Sequence, residues 1–190
     1  MIAETIQFIC DELNASQQLP KFAAMSGNIA YSGNGQPGIE DDLLDNVVIT
    51  LVNIEEEKTL KNGPHYVQNG ESLSKRNPTI FLNLYLLFSC ADSNYFQALR
   101  KIQNVLLFFQ KQYVFNKENS GSVFPSAAGV EKIILDLFTL NFEQINHLWG
   151  ILGGKYTPSV LYKLRIVAVQ NADLQDVAEI KEIKADANDK

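Results

Sequence analysis

The spacing of apolar residues along this chain predicts both helices and strands. Apolar side chains three and four positions apart predict helices over residues 2–13, 95–113 and 141–152. Nearly continuous, β-branched apolar runs predict four strands, Val47–Ile54, Thr79–Phe88, Val130–Leu140 and Val160–Val169. Helices and strands in this order are typical of the α+β class. We therefore expect a mixed or antiparallel four-stranded sheet with helices packed on one face and long loops.

Two of these elements carry more apolar residues than a single contact requires. The strand Thr79–Phe88 is apolar on both of its faces, which predicts a central position in the sheet. The second helix adds Val105, Leu107 and Phe108 to an apolar face that is already complete. This helix thus has more apolar surface than contact with one sheet would bury.

Polar segments between the predicted elements indicate long loops and a separate tail. Ser26–Asp45 is rich in glycine and acids, and Lys58–Asn77 contains Asn69-Gly70, a strong signal for a β-hairpin. The last twenty residues hold six acids and three lysines around a weak apolar pattern, which predicts either a marginal helix or a short added strand. We therefore divide the chain into an α+β domain over residues 1–170 and an acidic C-terminal arm over residues 171–190.

Composition narrows the classes of protein to which the chain can belong. It has 190 residues, 46% of them hydrophobic, and a formal net charge of −6. This negative charge disfavours nucleic acid and anionic membranes as partners. No apolar run approaches the roughly 20 residues of a transmembrane helix, and the acidic start of the chain has the wrong sign for a signal peptide. We expect a protein that is made and assembled in the cytoplasm without membrane insertion.

Two glycine-containing segments match sequence motifs of nucleotide-binding loops, but neither has the groups that would bind a nucleotide. Gly33–Gly38 has the letters G-x-G-x-x-G, yet Pro37 removes a backbone donor and four acids follow within seven residues, where they would repel a phosphate. Gly153–Lys155 ends like a Walker A loop, yet Tyr156 stands where a serine or threonine must bind magnesium. The sequence therefore predicts no cofactor.

The histidines and cysteines are few and dispersed. His65 and His147 do not form the close pair of a zinc site. Cys10 and Cys90 lack CxxC spacing, so we expect two buried thiols. The sequence predicts no metal ligand and no catalytic residue. A small enzyme that uses Cys90 or His147 remains an alternative, which loss of activity on replacing either residue by alanine would support.

The block from Phe142 to Val169 combines an amphipathic helix around Trp149 with the run Tyr156–Ser159 at the start of a strand. This block resembles the N-terminal domain of the tube-terminator, or cap, proteins of contractile injection systems. These systems are phage-tail-like particles of the antifeeding prophage and Photorhabdus virulence cassette type. The segments Asn46–Glu57 and Thr79–Phe88 match the same domain in the same order, so the resemblance extends from residue 1 to about residue 169.

The resemblance implies a non-enzymatic structural protein without a cofactor. Members of this family form a homohexameric ring at the distal end of the inner tube, stop its polymerisation and anchor the last sheath ring. The implied partners are other copies of the chain, the inner tube protein and the sheath protein, in a particle that is either released or membrane-anchored. We expect the subunit, tube or sheath contacts at the following residues: Trp149, Lys155, Tyr156, Lys163 and Arg165. For Trp149 the alternative is a plain core position.

Two other functions also fit the residues. The chain could be another ring, adaptor or baseplate component of the same kind of particle, and its position along the particle would distinguish these. It could instead be a monomeric, non-enzymatic module whose acidic clusters, Glu40–Asp42 and Glu55–Glu57, bind a basic protein. Binding to such a protein would weaken strongly with salt.

Overall fold

The computed structural model describes residues 1–16, 22–29, 45–60, 66–69, 72–77, 79–125, 131–153, 155–169 and 174–176. Its helices are α1 (Ile2–Ala15), α2 (Tyr95–Lys111) and α3 (Phe142–Ile151). Its strands are β1 (Ala24–Ser26), β2 (Val47–Glu56), β3 (Tyr66–Asn69), β4 (Ser72–Arg76), β5 (Ile80–Cys90), β6 (Val114–Asn116), β7 (Lys132–Phe138), β8 (Ser159–Val169) and β9 (Leu174–Asp176). Each predicted helix and strand is present within two residues of its predicted ends. Among the described helices, none has the length and hydropathy that crossing a membrane requires.

The longer strands form a mixed six-stranded sheet in the order β1-β2-β5-β8-β7-β6. Neighbouring strands are antiparallel except β1 and β2, which run parallel. The predicted α+β class is confirmed, and the four predicted strands are the four inner ones. The predicted count of four is wrong, because β1 and β6 each add a strand of 3 residues at an edge. Such short strands do not show the alternation by which a strand is recognised in a sequence.

The helices cover both faces of this sheet, which corrects the expectation of helices on one face. Side chains alternate along β5, so Leu86 and Phe88 point to one side and Leu87 to the other. α1 and α2 pack on the side of Phe88. α3 packs on the side of Leu87 through Trp149. The apolar character of both faces of β5 thus reflects a helix on each side.

Aromatic rings in edge-to-face contact build the core beneath α1 and α2. Phe8 of α1 meets Phe115 of β6 with ring centroids 5.8 Å apart. Phe88 of β5 meets Phe109 of α2 at 5.4 Å and Tyr162 of β8 at 5.5 Å. Such pairs contribute about 0.5–1.5 kcal/mol each beyond their burial. They hold both helices in defined positions on the sheet.

A buried ion pair ties α2 to the end of β5 and the start of β2. The Asn94 side chain caps the first turn of α2. One turn later, Lys101 Nζ donates to the Asp92 carboxylate and to the carbonyl oxygen of Asp45. The side chains of Lys101 and Asp92 are each only 8% exposed. The pair therefore fixes the beginning of α2 against the loops at this end of the sheet.

A second, three-stranded sheet has the order β3-β4-β9. β3 and β4 pair antiparallel with Asn69 opposite Ser72, so the hairpin predicted from Asn69-Gly70 is confirmed. Of the two interpretations of the tail, the added strand applies to Leu174–Asp176, which pairs with β4. The rest of the predicted arm lies outside the described residues, and the division of the chain at residue 170 stays a prediction.

Candidate functional site

α3 and the turn that follows it position three of the five predicted contact residues. A capping box begins the helix: the Asn141 side chain accepts from Gln144 N at 2.8 Å, and Gln144 Oε1 accepts from Asn141 N at 2.9 Å. Gly153, with a φ of 99°, turns the chain after the helix, a conformation that suits glycine. The chain then returns past α3 before it enters β8.

Trp149 is a core residue, whereas its neighbour Tyr156 lies on the surface. Trp149 is 6% exposed and packs in one cluster with Leu87 and Leu161 of the sheet. Its ring meets the ring of Tyr156 edge to face with centroids 5.6 Å apart, and Tyr156 is 62% exposed. Lys155 is exposed, and no ion pair of the described residues includes it. Trp149 thus supports Tyr156 from below, and Tyr156 and Lys155 are open to a partner.

An apolar groove surrounds the outer edge of β7. A cavity of about 400 Å³ lies between α2 and β7, with Tyr113 in its wall. A second cavity of about 310 Å³ lies between β7 and α3, with Trp149 and Tyr156 in its wall. Leu106 of α2 and Leu137 of β7 line both cavities. We call these two cavities and the strand edge between them the edge groove.

The backbone of β7 has no partner strand among the described residues at Leu137. β6 pairs with β7 as far as Ile134, and Leu135 N donates to Tyr113 O at 2.9 Å. Backbone groups alternate between the two edges of a strand, so the N–H and C=O of Leu137 point to the same outer side as those of Leu135. No strand of the described residues pairs with Leu137 on that side, and its side chain is 56% exposed. As far as the described residues show, β7 therefore ends in an unpaired, apolar edge.

The other two predicted residues lie on a different surface, on the α3 side of the sheet. Lys163 Nζ donates to Glu55 Oε2 at 2.9 Å, and Tyr85 OH donates to the same oxygen at 2.7 Å. Arg165 forms an ion pair with Asp136 of β7. We call these five residues the charged sheet face. The structure thus divides the predicted contact residues between the edge groove and the charged sheet face.

Both predicted cations of β8 are paired within the chain. The hydrogen bond from Lys163 holds the pKa of Glu55 below its usual range, and the same bond raises the pKa of Lys163. Nearby, Asn83 Nδ2 donates to Glu57 Oε2 at 3.1 Å. Hydrogen bonds from Thr59 and Asn83 lower the pKa of Glu57 to about 2. This face therefore presents a fixed pattern of paired charges, which suits the orientation of a partner more than net attraction.

The described residues offer little support for the enzymatic alternative. Burial raises the pKa of Cys10 to about 12 and that of Cys90 to about 11, so both thiols are protonated near neutral pH and are poor nucleophiles. His147 lies exposed on α3. Within the described ranges, no three His, Cys, Asp or Glu side chains come together to hold a metal ion. Gly33–Gly38 and His65 lie outside the described residues.

Sequence reasoning did not predict the edge groove, and the surplus apolar residues of the second helix are not among those that line it. Of the surplus apolar residues on the second helix, Val105 and Phe108 are buried, whereas Leu107 is exposed. The adjacent Leu106 lines the groove. The open edge at Leu137 depends on how far β6 extends along β7, and no local pattern in the sequence shows this.

Comparison with known proteins assigns the sequence to a family. The sequence matches the family described as the Pvc16 N-terminal domain over residues 5–181. No curated protein sequence matches it. Its fold is similar to the PVC sheath/tube terminator of an extracellular contractile injection system in the extended state, with a TM-score of 0.61 and 15% identity over 100% of this chain and 64% of that chain. It is also similar to the tube-terminating cap of the anti-feeding prophage, with a TM-score of 0.50 and 16% identity over 83% of this chain and 56% of that chain.

The family match is stronger evidence than the similarity to the two solved structures. At 15–16% identity, the solved structures show a similarity of fold, and this chain spans less than two thirds of the length of either. The family match is stronger because it includes all but the first four and last nine residues of the chain. It confirms the resemblance drawn from the block around Trp149. The chain belongs to the Pvc16 N-terminal domain family.

Proposed function

We propose that this chain caps the inner tube of a contractile injection system, where it ends tube growth and anchors the last sheath ring. The observation that carries this proposal is the family match over residues 5–181. A fold similar over the whole chain to a sheath/tube terminator supports it. The proposed role is structural and not enzymatic. The partners are other copies of this chain, the inner tube protein and the sheath protein, and no cofactor takes part.

A cap requires an interface that closes into a ring, and the edge groove is suited to such an interface. A head-to-tail interface joins two different patches of the same chain and closes when its rotation divides a full turn. We propose six copies, the number that the resemblance to cap proteins implies. On α3, which forms one wall of the groove, Phe142 is 92% exposed and Ile151 is 83% exposed, and Leu137 in the groove is half-exposed. Burial of these apolar side chains between copies would drive association.

The charged sheet face is the second contact surface in this proposal. Its cations, Lys163 and Arg165, would contact the tube or the sheath while each stays paired with a carboxylate of its own chain. A partner must then match an alternating pattern of charge, which selects its orientation and excludes other surfaces. Lys155 and Tyr156 belong to the ring contact, and Trp149 contributes by holding Tyr156.

Particle length tests the capping role. Particles assembled with and without this chain would be compared by negative-stain electron microscopy. Without the chain we expect overlong or ragged tubes with poorly anchored sheath, and restoring the chain should restore a uniform length. Capped particles of uniform length in its absence would refute the proposal.

Position along the particle separates a cap from another ring, adaptor or baseplate component. A gold-labelled antibody against the chain should bind at the end of the tube opposite the baseplate. Label at the baseplate end would refute a cap. A chain that stays monomeric at high concentration and binds a basic protein only at low salt would be the acidic binding module instead.

A further inference from the structure

The outer face of α2 carries apolar and cationic side chains that are exposed on the chain by itself. Phe96, Leu99 and Leu107 are all about half-exposed. The helix contains three cations and no acid, in a chain whose formal net charge is −6. Lys101 is buried in its ion pair, whereas Arg100 is exposed and has no ion pair within the described ranges. This face therefore attracts an acidic surface that also offers apolar side chains.

α3 presents the complementary combination on the other side of the sheet. Glu143 is its only acid, and the helix contains no lysine or arginine. Glu143 is exposed, and the ion pairs among the described residues do not include it. The strongly exposed Phe142 and Ile151 lie about 100° of helix rotation to either side of the line that joins Glu143 to Gly150. α3 thus carries an acid between two apolar side walls.

Gly150 leaves an open space in the middle of this face, which we call the notch. Glycine is less favourable than alanine inside a helix, yet a Cβ built on Gly150 would meet no atom within 4 Å. Packing within the described chain therefore gives no reason for a glycine at this position. A glycine on an exposed helix face lets the backbone of a second element approach closely. The notch is suited to receive a side chain from a second helix.

The outer faces of α2 and α3 share one spacing. On α2, Arg100 and Leu107 are seven residues apart, and on α3, Glu143 and Gly150 are also seven residues apart. Seven residues make nearly two turns, so each pair lies on one line along its helix, about 10.5 Å long. When the two helices lie side by side in the same direction with Leu107 over the notch, Arg100 lies against Glu143. One alignment thus provides both the apolar and the charged contact.

The two lines do not face each other within one chain. α1 and α2 pack on the side of the sheet to which Phe88 points, and α3 packs on the side of Leu87. Both α2 and α3 border the edge groove, yet none of the four residues that form the two lines is in the wall of either cavity. The partner that fits each face is therefore a second copy of the chain. Two different patches on one chain are what a head-to-tail interface joins.

We propose that α2 of one copy packs against α3 of the next copy, with Leu107 over Gly150 and Arg100 paired with Glu143. This inference rests on the proposed ring and specifies its contact. Each copy offers one α2 face and one α3 face, so the same contact repeats until the ring closes. The contact lies beside the edge groove, whose wall includes Leu106, the neighbour of Leu107.

Charge reversal in the full-length chain tests the pairing. Arg100→Glu and Glu143→Arg, each alone, should raise the concentration needed for half-assembly about ten-fold in light scattering, because like charges then face each other. Lys117→Glu makes the same change in net charge as Arg100→Glu but lies outside both helices, so it should leave assembly unchanged. A thermal melt shows that each variant is folded. If Arg100→Glu assembles as well as Lys117→Glu does, the proposal is wrong.

A mixture of the two reversed chains identifies the partner as another copy. The reversed α2 of one chain then meets the reversed α3 of the other, and the two unaltered faces meet as before. Alternating copies restore every contact in a ring of six, so the mixture should assemble like the unaltered chain. The double variant Arg100→Glu with Glu143→Arg should do the same. If the single variants lose assembly and neither the mixture nor the double variant regains it, α2 and α3 do not contact each other, and the proposal is overturned.

Gly150→Ala separates the contact from the stability of the chain. Alanine favours a helix more than glycine does, so the melting temperature of the dilute, unassembled chain should not fall. The added methyl group fills the notch, and overpacking of this kind should weaken assembly about ten-fold. Assembly equal to that of the unaltered chain would overturn the proposed packing of Leu107 over Gly150.

Particle length measured with the same variants distinguishes failure of this contact from failure of the cap. If Arg100→Glu and Gly150→Ala still form the ring and cap tubes at uniform length, the contact is wrong while the cap stands. If the unaltered chain assembles through α2 and α3 but does not limit tube length, the proposed function fails while the contact stands. If the unaltered chain stays monomeric both alone and on the tube, both proposals fail.

Discussion

Replacing Asp92 by asparagine should destabilise the fold, because it removes the counter-charge from a buried ammonium group. Lys101 and Asp92 are each 8% exposed, and Lys101 Nζ also donates to the carbonyl oxygen of Asp45. Removing one member of a buried pair costs about 3–5 kcal/mol. The lower end applies here, since the asparagine oxygen and the Asp45 carbonyl still accept from the ammonium. For a domain of this length, about 3 kcal/mol lowers the melting temperature by about 9 °C.

Urea unfolding followed by circular dichroism measures this cost in a double-mutant cycle. Lys101→Met should also destabilise the fold, whereas the double variant should lose only about 1–2 kcal/mol, because neither charge is left without its partner. Lys111→Met, an exposed lysine on the same helix, is the matched control and should change the free energy of unfolding by less than about 0.5 kcal/mol. Additive single effects, or a cost below about 1 kcal/mol for Asp92→Asn, would refute the reasoning.

The same pair makes stability depend on pH at the acid end. The hydrogen bond from Lys101 holds the pKa of Asp92 below its usual range. The pair therefore contributes fully above the unfolded value of about 3.9, and its contribution is lost as the pH falls through the lower folded value. Urea midpoints measured between about pH 2 and pH 6 should show this loss in the unaltered chain and a smaller one in Asp92→Asn. Parallel pH profiles would contradict it.

Three further outcomes follow from the site. Asn141→Ala should lower the free energy of unfolding by about 1 kcal/mol, because it removes the capping box of α3, and a urea titration measures this. Trp149→Ala should lower the free energy of unfolding by about 3 kcal/mol, because it leaves a cavity in the core. Tyr156→Ala should leave the melting temperature nearly unchanged and weaken only the assembly. A thermal melt measures the first effect, and light scattering measures the second. Cys10 and Cys90 should resist alkylation in the folded chain and react in urea, and rapid labelling without denaturant would show that the thiols are accessible.

The inner elements of this fold could be predicted from sequence because each carries a long apolar pattern. β5 illustrates both the strength and the limit of such patterns. Its two apolar faces correctly indicated a central strand, and they also contained the information that a layer covers each face. Which helix covers which face depends on the path of the chain, and the Leu87 side was assigned to α3 only by the structure. The 3-residue strands β1 and β6 have no pattern long enough to detect.

The sequence indicated which side chains are candidates for contacts, but it did not indicate which groups surround them. A cation on an apolar strand, such as Lys163, suggested contact with an edge or a neighbouring subunit. Its hydrogen-bond partner Glu55 lies 108 residues away in the sequence, so no local spacing could indicate the pair. The burial of Trp149 agrees with the alternative of a core position. The adjacent Tyr156 is exposed, as a contact residue must be. Whether these residues touch another subunit stays a prediction.

The internal pairing of charges has a consequence for how the proposed ring would respond to salt. A lysine already bonded to its own carboxylate brings little net charge to an interface, so Lys163 and Arg165 give a partner little long-range attraction to lose. The apolar edge groove, in contrast, is strengthened by salts that favour burial. A ring held mainly by the groove should therefore keep its mass from low to high salt, measured by light scattering. If the ring dissociates as salt rises, charged surfaces hold it, and the groove is not its main contact.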